Sequence, residues 1–152
     1  MIAKRNERWM KNKGGVEKEG GHYKLFVLVH VLFFLSIFIE AYVRGVHHLE
    51  LNHVLLLIFI LTQMIRVWCI QSLGRFWNTK IIVNPKFSPV AKGPYKYVKH
   101  PNYVVVGIEL FVIPLLFGAI YTAILFPFLH ILLLAIRIPA EERALAQMEK
   151  RG

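Results

Sequence analysis

The sequence predicts an all-α integral membrane protein with four transmembrane helices, the last two of which form a helical hairpin. Three observations lead to this prediction. Apolar residues make up 56% of the 152-residue chain and charged residues only 18%, a balance unlike that of soluble domains. The charges are clustered, so the long stretches between them carry almost none. When those stretches are treated as membrane crossings, nearly all basic residues fall on one side.

The first two apolar stretches have the length of a single membrane crossing. Residues 25–43 contain one charge, Glu40, and residues 54–73 contain one, Arg66, near their end. A membrane-spanning helix needs roughly 20 apolar residues, and a long basic side chain near its end can extend to the polar interface. We therefore predict transmembrane helices over both stretches, with Arg66 reaching the interface.

The third apolar stretch, 103–136, is too long for one crossing. As one helix it would extend about 50 Å, whereas the hydrocarbon core is about 30 Å thick. Pro114 and Gly118 lie near its middle and favour a turn there. The sequence thus predicts antiparallel transmembrane helices over 103–117 and 119–136, the second kinked at Pro127.

The basic residues orient these helices. Lysine and arginine are concentrated in segment 1–24, in loop 74–102, which has no acidic residue, and in tail 137–152, whereas the opposite side carries only Arg44. By the positive-inside rule, both termini and the long loop are cytoplasmic. This distribution also accounts for the net charge of +10 without a nucleic-acid partner.

The polar segment 1–24 is not expected to be helical, because the pairs Gly14-Gly15 and Gly20-Gly21 break any helix. The chain is short enough for the whole of 1–152 to form one domain.

The end of the long loop carries a cluster of polar and aromatic side chains. Residues 93–103 read Gly-Pro-Tyr-Lys-Tyr-Val-Lys-His-Pro-Asn-Tyr, and Pro101 suits the first turn of the helix that follows. Lysines, tyrosines and His100 beside a helix N-terminus favour an anionic ligand. The alternative is an interfacial belt, since tyrosine and lysine also collect at membrane boundaries.

The other end of the predicted hairpin carries Arg137, Glu141 and Glu142. Because the hairpin folds back, these residues return to the same side of the membrane as His100 and Tyr103. A cationic and aromatic cluster would then lie beside a carboxylate pair. The alternative is an ordinary charge network in which Arg137 pairs with Glu141.

Two carboxylates fall within predicted spans, where an ionisable residue is costly and indicates function. Glu109 lies about 9 Å along the helix axis from Tyr103, so we expect it to line a pocket that opens near the motif. Glu40 is the weaker candidate, because Arg44 follows one turn later.

No metal site is expected. The adjacent His47 and His48 and the nearby His53 have only Glu50 as a neighbouring carboxylate. The chain also lacks the glycine-rich elements of dinucleotide and P-loop sites and the nucleophile elbow of hydrolases.

Several of these segments together resemble the isoprenylcysteine carboxyl methyltransferase family, in particular its short prokaryotic members. The resemblance is carried by Gly93-Pro94-Tyr95, by His100-Pro101-Asn102-Tyr103, by Arg137 with Glu141-Glu142 after a hairpin, and by Arg5-Asn6-Glu7-Arg8 and Gly74-Arg75-Phe76-Trp77. It extends over almost the whole chain.

The resemblance implies a pocket for S-adenosylmethionine at the cytoplasmic membrane face. The residues that it assigns to cofactor binding are Tyr95, His100, Pro101, Asn102, Tyr103 and Glu142. Lys99 and Glu141 join them on chemical grounds, because the cofactor presents a carboxylate to a cation and an amine and ribose hydroxyls to a carboxylate. Tyrosine faces can accept the sulfonium or flank the adenine.

The expected activity is methylation of a lipophilic acceptor by a multi-pass protein of the cell membrane. A prenylcysteine-type carboxylate would need no base. The hydroxyl of a long-chain polyketide such as an alkylpyrone would gain from one, for which Glu109 is the candidate, and Arg137 could orient an acidic acceptor. Three alternatives stay open: a phospholipid N-methyltransferase, a non-catalytic membrane scaffold, and a steroid-reductase-like enzyme that binds NADPH.

Three features depart from the family pattern. Lys99 stands where arginine is usual, which removes bidentate recognition. Pro139 interrupts the Arg-Ile-x-x-Glu-Glu segment and is expected to shift the carboxylates relative to Arg137. Relatives also carry a hydrophobic helix before Arg5-Asn6-Glu7-Arg8, so a fifth helix is expected in an intact gene.

Overall fold

The computed structural model describes residues 2–18, 22–46, 51–84 and 86–149. Of the residues singled out above, Gly20-Gly21, His47, His48, Glu50 and residues 150–152 lie outside these ranges. The elements in chain order are helix α1 (Ile2–Asn12), strand β1 (Val16–Glu17), helices α2 (His22–Val43) and α3 (His53–Leu73), a 3-10 turn (Gly74–Phe76), strand β2 (Ile82–Val83), a 3-10 turn (Gly93–Lys96), and helices α4 (Pro101–Leu116) and α5 (Ile120–Glu149).

Within the described residues, three helices are long and apolar enough to cross a membrane. Their candidate spans are Tyr23–Val43, His53–Phe76 and Ile120–Ala146, and α4 is apolar but shorter, at 16 residues. Large apolar side chains such as Phe38, on α2, point away from the protein. An apolar surface of this kind is stable against lipid and costly in water.

The four apolar helices pack in the order α3, α4, α5, α2, with α4 in contact with α3 and α5 and with α2 against α5. The buried cluster between them combines Phe33 and Ile37 of α2 with Leu110 of α4 and Phe126 of α5. The Phe33 and Phe126 rings meet edge to face with centroids 5.3 Å apart. A turn of three residues between α4 and α5 brings the two helices alongside each other.

The position of Arg66 near a helix end suggested that its side chain would extend to the interface. In the structure the side chain binds Glu109 instead. Its Nε donates to Glu109 Oε1 at 2.8 Å and its Nη2 donates to Glu109 Oε2, while Gln63 Nε2 donates to Glu109 Oε1 at 2.7 Å. Glu109 is 9% exposed. A charge among apolar helices is stable only with a partner, so the bidentate pair fastens α3 to α4.

Glu40, a residue of α2, caps the N-terminus of helix α5. Its carboxylate accepts hydrogen bonds from the backbone N–H groups of Tyr121 and Thr122, both at 2.8 Å, and from Thr122 Oγ1 at 2.7 Å. The first N–H groups of a helix have no partner inside it, and a carboxylate there also suits the helix dipole. Arg44 adds a hydrogen bond from Nη1 to Gly118 O at 3.1 Å.

The expectation that segment 1–24 is not helical is wrong for its first half. Helix α1 ends at Asn12, and Gly14 follows in the left-handed region with φ of +92°. The glycine pair therefore ends the helix without preventing it. The buried Asn6 then joins α1 to the end of α3, because its Nδ2 donates to Gly74 O at 3.0 Å and to Trp77 O at 2.8 Å.

Segment 137–149, predicted as part of a tail, is helical and continues α5 past Pro139. Ala140, Ala144 and Leu145 of this extension pack against Ile81 and Val83 of the loop. Residues spaced four and five positions apart lie on one face of a helix, so these three side chains form an apolar face. Its packing on the loop stabilises the helix beyond the membrane-spanning part. The loop segment is held in turn by the antiparallel pairing of β1 with β2.

The Arg66–Glu109 pair predicts strong coupling between two substitutions. Arg66→Leu or Glu109→Leu alone should lower the free energy of unfolding by about 3 kcal/mol, because each leaves one charge without its partner. The double variant should lose clearly less than the sum of the two. Unfolding in detergent micelles measures this, and additive losses would contradict the pairing.

Candidate functional site

The first turn of α4 and the extension of α5 meet on the side of the bundle where residues 74–84 and 86–100 lie, called the loop side below. Tyr103 Oη donates to Glu141 Oε2 at 2.7 Å, and Arg137 Nε donates to Tyr103 Oη at 3.2 Å. The structure thus brings Tyr103 of α4 to Arg137 and Glu141, which follow 34 and 38 residues later in the chain. A tyrosine hydroxyl joins Arg137 to Glu141.

Arg137 also binds the loop. It is only 6% exposed, its Nη2 donates to the backbone oxygen of Thr79 at 2.9 Å, and its guanidinium lies over the Phe26 ring, 5.5 Å from the centroid. The contact with Thr79 was not predicted from the sequence, because a backbone carbonyl leaves no signal in the side chain. Arg137 therefore fixes the loop, α4 and α5 relative to one another.

His100 lies between Tyr103 and Glu142. Its ring stacks on the Tyr103 ring with centroids 5.5 Å apart. Glu142 Oε1 is 3.7 Å from His100 Nε2 and 3.5 Å from Lys99 Nζ. The Lys99 and Glu142 side chains are 84% and 48% exposed, so water screens their attraction and it adds little stability.

Two polar atoms of the predicted motif are buried without a hydrogen-bond partner. They are His100 Nε2 and Asn102 Oδ1. A buried donor or acceptor left unpaired costs free energy, and such atoms are rare in folded proteins. Their concentration in the first turn of α4 indicates that a ligand or ordered water completes the site.

The remaining predicted residues frame this turn. Pro101 is buried at the first position of α4, where its missing N–H costs nothing. Tyr95 belongs to the 3-10 turn that packs on α3. Gly93 allows this approach, because a Cβ there would overlap Ser72 Oγ and its φ is +56°. Burial raises the pKa of Tyr95.

A groove of about 350 Å³ runs along α4 and α5 from this turn. His100 and Tyr103 lie at its loop-side end, and the other lining residues are Val98, Lys99, Val104, Gly107, His130, Ile131, Leu134 and Ile138. Val104 and Ile131 are 56% and 62% exposed on the apolar outer surface. The groove therefore connects the polar side chains of His100 and Tyr103 to the surface that would face lipid.

Glu109 does not line this groove. Its carboxylate points to the opposite neighbour of α4, where Arg66 and Gln63 hold it. The structure therefore separates Glu109 from the other predicted site residues. In the described part of the chain, no three histidine, cysteine or acidic side chains form a group that could hold a metal ion.

Comparisons with known proteins give a family match over most of the chain. Residues 54–147 match the model of the isoprenylcysteine carboxyl methyltransferase (ICMT) family. The uncharacterized protein YpbQ of Bacillus subtilis is 40% identical over 146 residues, which cover 96% of this chain and 87% of YpbQ. An uncharacterized protein of Haemophilus influenzae is 30% identical over 148 residues, or 97% of this chain and 86% of that protein. No solved structure matches. All the predicted site residues fall inside the matched range.

The geometry predicts a structural cost for removing the Tyr103 hydroxyl. Tyr103→Phe should lower the free energy of unfolding by about 1–3 kcal/mol, because Arg137 Nε and Glu141 Oε2 each lose a partner. Tyr97→Phe is the matched control, since Tyr97 is 78% exposed. Thermal unfolding in detergent measures both, and equal midpoints for the two variants would contradict the arrangement.

Proposed function

Because the chain belongs to the isoprenylcysteine carboxyl methyltransferase family, we propose that it is an S-adenosylmethionine-dependent methyltransferase of a lipophilic acceptor at the cytoplasmic membrane face. One observation carries the proposal beyond the family. The polar cluster, formed by Tyr103, Arg137 and Glu141 with their neighbours His100 and Glu142, meets an apolar groove at His100 and Tyr103, and the groove leads to the lipid-facing surface. A water-soluble cofactor and a membrane-soluble acceptor can meet at such a junction.

The residues of the cluster fit the cofactor. Its ammonium suits the half-exposed carboxylate of Glu142, and its carboxylate suits Lys99 or the first turn of α4. The unpaired atoms His100 Nε2 and Asn102 Oδ1 offer hydrogen bonds to its polar groups. The rings of Tyr95 and Tyr103 can flank the adenine or accept the sulfonium. When bound, the cofactor supplies an electrophilic methyl group.

The groove suits the chain of the acceptor. An isoprenoid or alkyl chain along Val104, Ile131 and Leu134 would bury apolar surface and leave its polar head beside His100 and Tyr103. A prenylcysteine-type carboxylate and the hydroxyl of a long-chain polyketide such as an alkylpyrone both match this description. A phospholipid amine would bring a charged phosphate and a second acyl chain to the same place.

Methyl transfer is an in-line displacement, so alignment of the two reactants supplies much of the acceleration. Arg137 serves that alignment as a positioning residue, because it fixes Tyr103 and the loop. The candidate base, Glu109, is bound by Arg66 and Gln63 away from the groove. This geometry favours an acceptor that is already ionised, for which no base is needed.

The proposed topology has four crossings with the loop side in the cytoplasm. It rests on the basic residues of segment 1–24, of loop 74–102 and of the chain beyond Arg137. Helix α4 is the fourth crossing, and its 16 residues extend about 24 Å. The cofactor is made in the cytoplasm and would reach the cluster directly.

Cofactor binding can be tested by calorimetry. S-adenosylhomocysteine should bind the detergent-purified protein, and His100→Ala and Glu142→Ala should each weaken binding more than Lys86→Ala, whose side chain is exposed. No binding at millimolar concentration by the folded protein would overturn the enzyme proposal and favour a scaffold. Binding of NADPH in its place would favour a redox enzyme.

Activity and acceptor can be found in one assay. Protein incubated with methyl-labelled S-adenosylmethionine and a total lipid extract should transfer label to an apolar product. A label that mild base releases marks a methyl ester, and one that resists base marks an ether or amine. Transfer only to water-soluble products would contradict a membrane acceptor.

A further inference from the structure

Three buried side-chain atoms among the described residues lack a hydrogen-bond partner, and the family motif contains only two of them. The third is Nδ2 of Asn78, in the loop after α3. Folded proteins pair most buried donors, so an unpaired one requires an explanation. Asn78 belongs to no motif that indicates cofactor binding.

The orientation of the Asn78 amide is fixed by its own turn. Its Oδ1 accepts from the backbone N–H of Thr79 at 2.9 Å and from that of Lys80 at 3.3 Å. An amide oxygen with two N–H donors cannot be exchanged with the amide nitrogen without losing both bonds. The free group is therefore the NH₂ donor, which points away from the turn.

The backbone on both sides of Asn78 is anchored. The carbonyl of Trp77 accepts from Asn6 Nδ2 at 2.8 Å, and the carbonyl of Thr79 accepts from Arg137 Nη2 at 2.9 Å. Through Arg137, the segment is connected to Tyr103 and Glu141. Asn78 thus presents a donor held in place one residue from the contact that fixes the cluster.

Asn84, in the same loop, is an asparagine whose amide oxygen and amide nitrogen both have hydrogen-bond partners. Its Oδ1 accepts from the backbone N–H of Lys86 at 2.9 Å, and its Nδ2 donates to Lys13 O at 2.9 Å. The two asparagines share the same kind of turn and differ in the amide nitrogen. Only the one next to the Arg137 contact has its donor unpaired.

We propose that Asn78 is a cofactor-binding residue whose Nδ2 donates a hydrogen bond to an acceptor atom of bound S-adenosylmethionine. This rests on the proposed function, because it adds a third chain segment to the same site. The acceptor atom belongs to the carboxylate of the cofactor or to its adenosine part. Either would satisfy a donor that the protein alone leaves unpaired.

Asn78→Asp tests the proposal, because it keeps the Oδ1 that closes the turn and replaces the donor by an acceptor. Its affinity for S-adenosylhomocysteine should fall about tenfold or more, while the ligand-free protein still unfolds cooperatively. Asn84→Asp is the matched control and should lower the unfolding midpoint with the affinity retained. Titration calorimetry and thermal unfolding in detergent measure the two quantities.

A second ligand identifies the group that is bound. 5′-Methylthioadenosine lacks the amino-acid part, so Asn78→Asp should leave its affinity unchanged if Asn78 binds the carboxylate and should weaken it if Asn78 binds the adenosine. Unchanged affinity of folded Asn78→Asp for S-adenosylhomocysteine, with wild type binding normally, would overturn this inference alone and leave Nδ2 to a buried water. Wild type that binds no S-adenosylhomocysteine would overturn the proposed function and this inference with it.

Discussion

The guanidinium of Arg137 connects the parts of the chain on which the candidate site depends. It donates to the hydroxyl of Tyr103 on α4 and to the carbonyl of Thr79 in the loop, and it lies over Phe26 of α2. Arginine suits this place because its planar group offers five donors in fixed directions and stays charged when buried. Lysine has a single donor head and could not make these contacts together. The site is therefore arranged by a side chain that does not itself line the groove.

Hydropathy predicted the positions of the apolar helices because length and lack of charge are properties of local sequence. Contacts between residues that are far apart in the sequence could not be predicted from hydropathy. Arg66 was expected to extend to the interface because its partner, Glu109, follows 43 residues later, and no local pattern links the two. Helix α1 was missed because its stability comes from docking through Asn6, whereas the glycines after it suggested a break. In both cases tertiary contacts outweighed the local signal.

In the candidate site, too, local features could be predicted from the sequence and long-range contacts could not. The residue types around His100 and Tyr103, and the fold-back that returns Arg137 and Glu141 to them, were predictable because a helical pair of known length brings its ends together. The connecting contacts were not, since a backbone carbonyl such as that of Thr79 has no sequence signature. The unpaired donor of Asn78 could be recognised only after every neighbouring hydrogen bond was assigned.

The cap that Glu40 provides for α5 has a consequence for biosynthesis. The first turn of α5 has backbone donors that Glu40 of α2 satisfies. Since α2 is synthesised before α5, the cap is already present when the later helix is inserted. During the interval Arg44, whose Nη1 lies 3.6 Å from Glu40 Oε1, can neutralise the waiting carboxylate. The order of these helices along the chain is thus also a workable order of assembly.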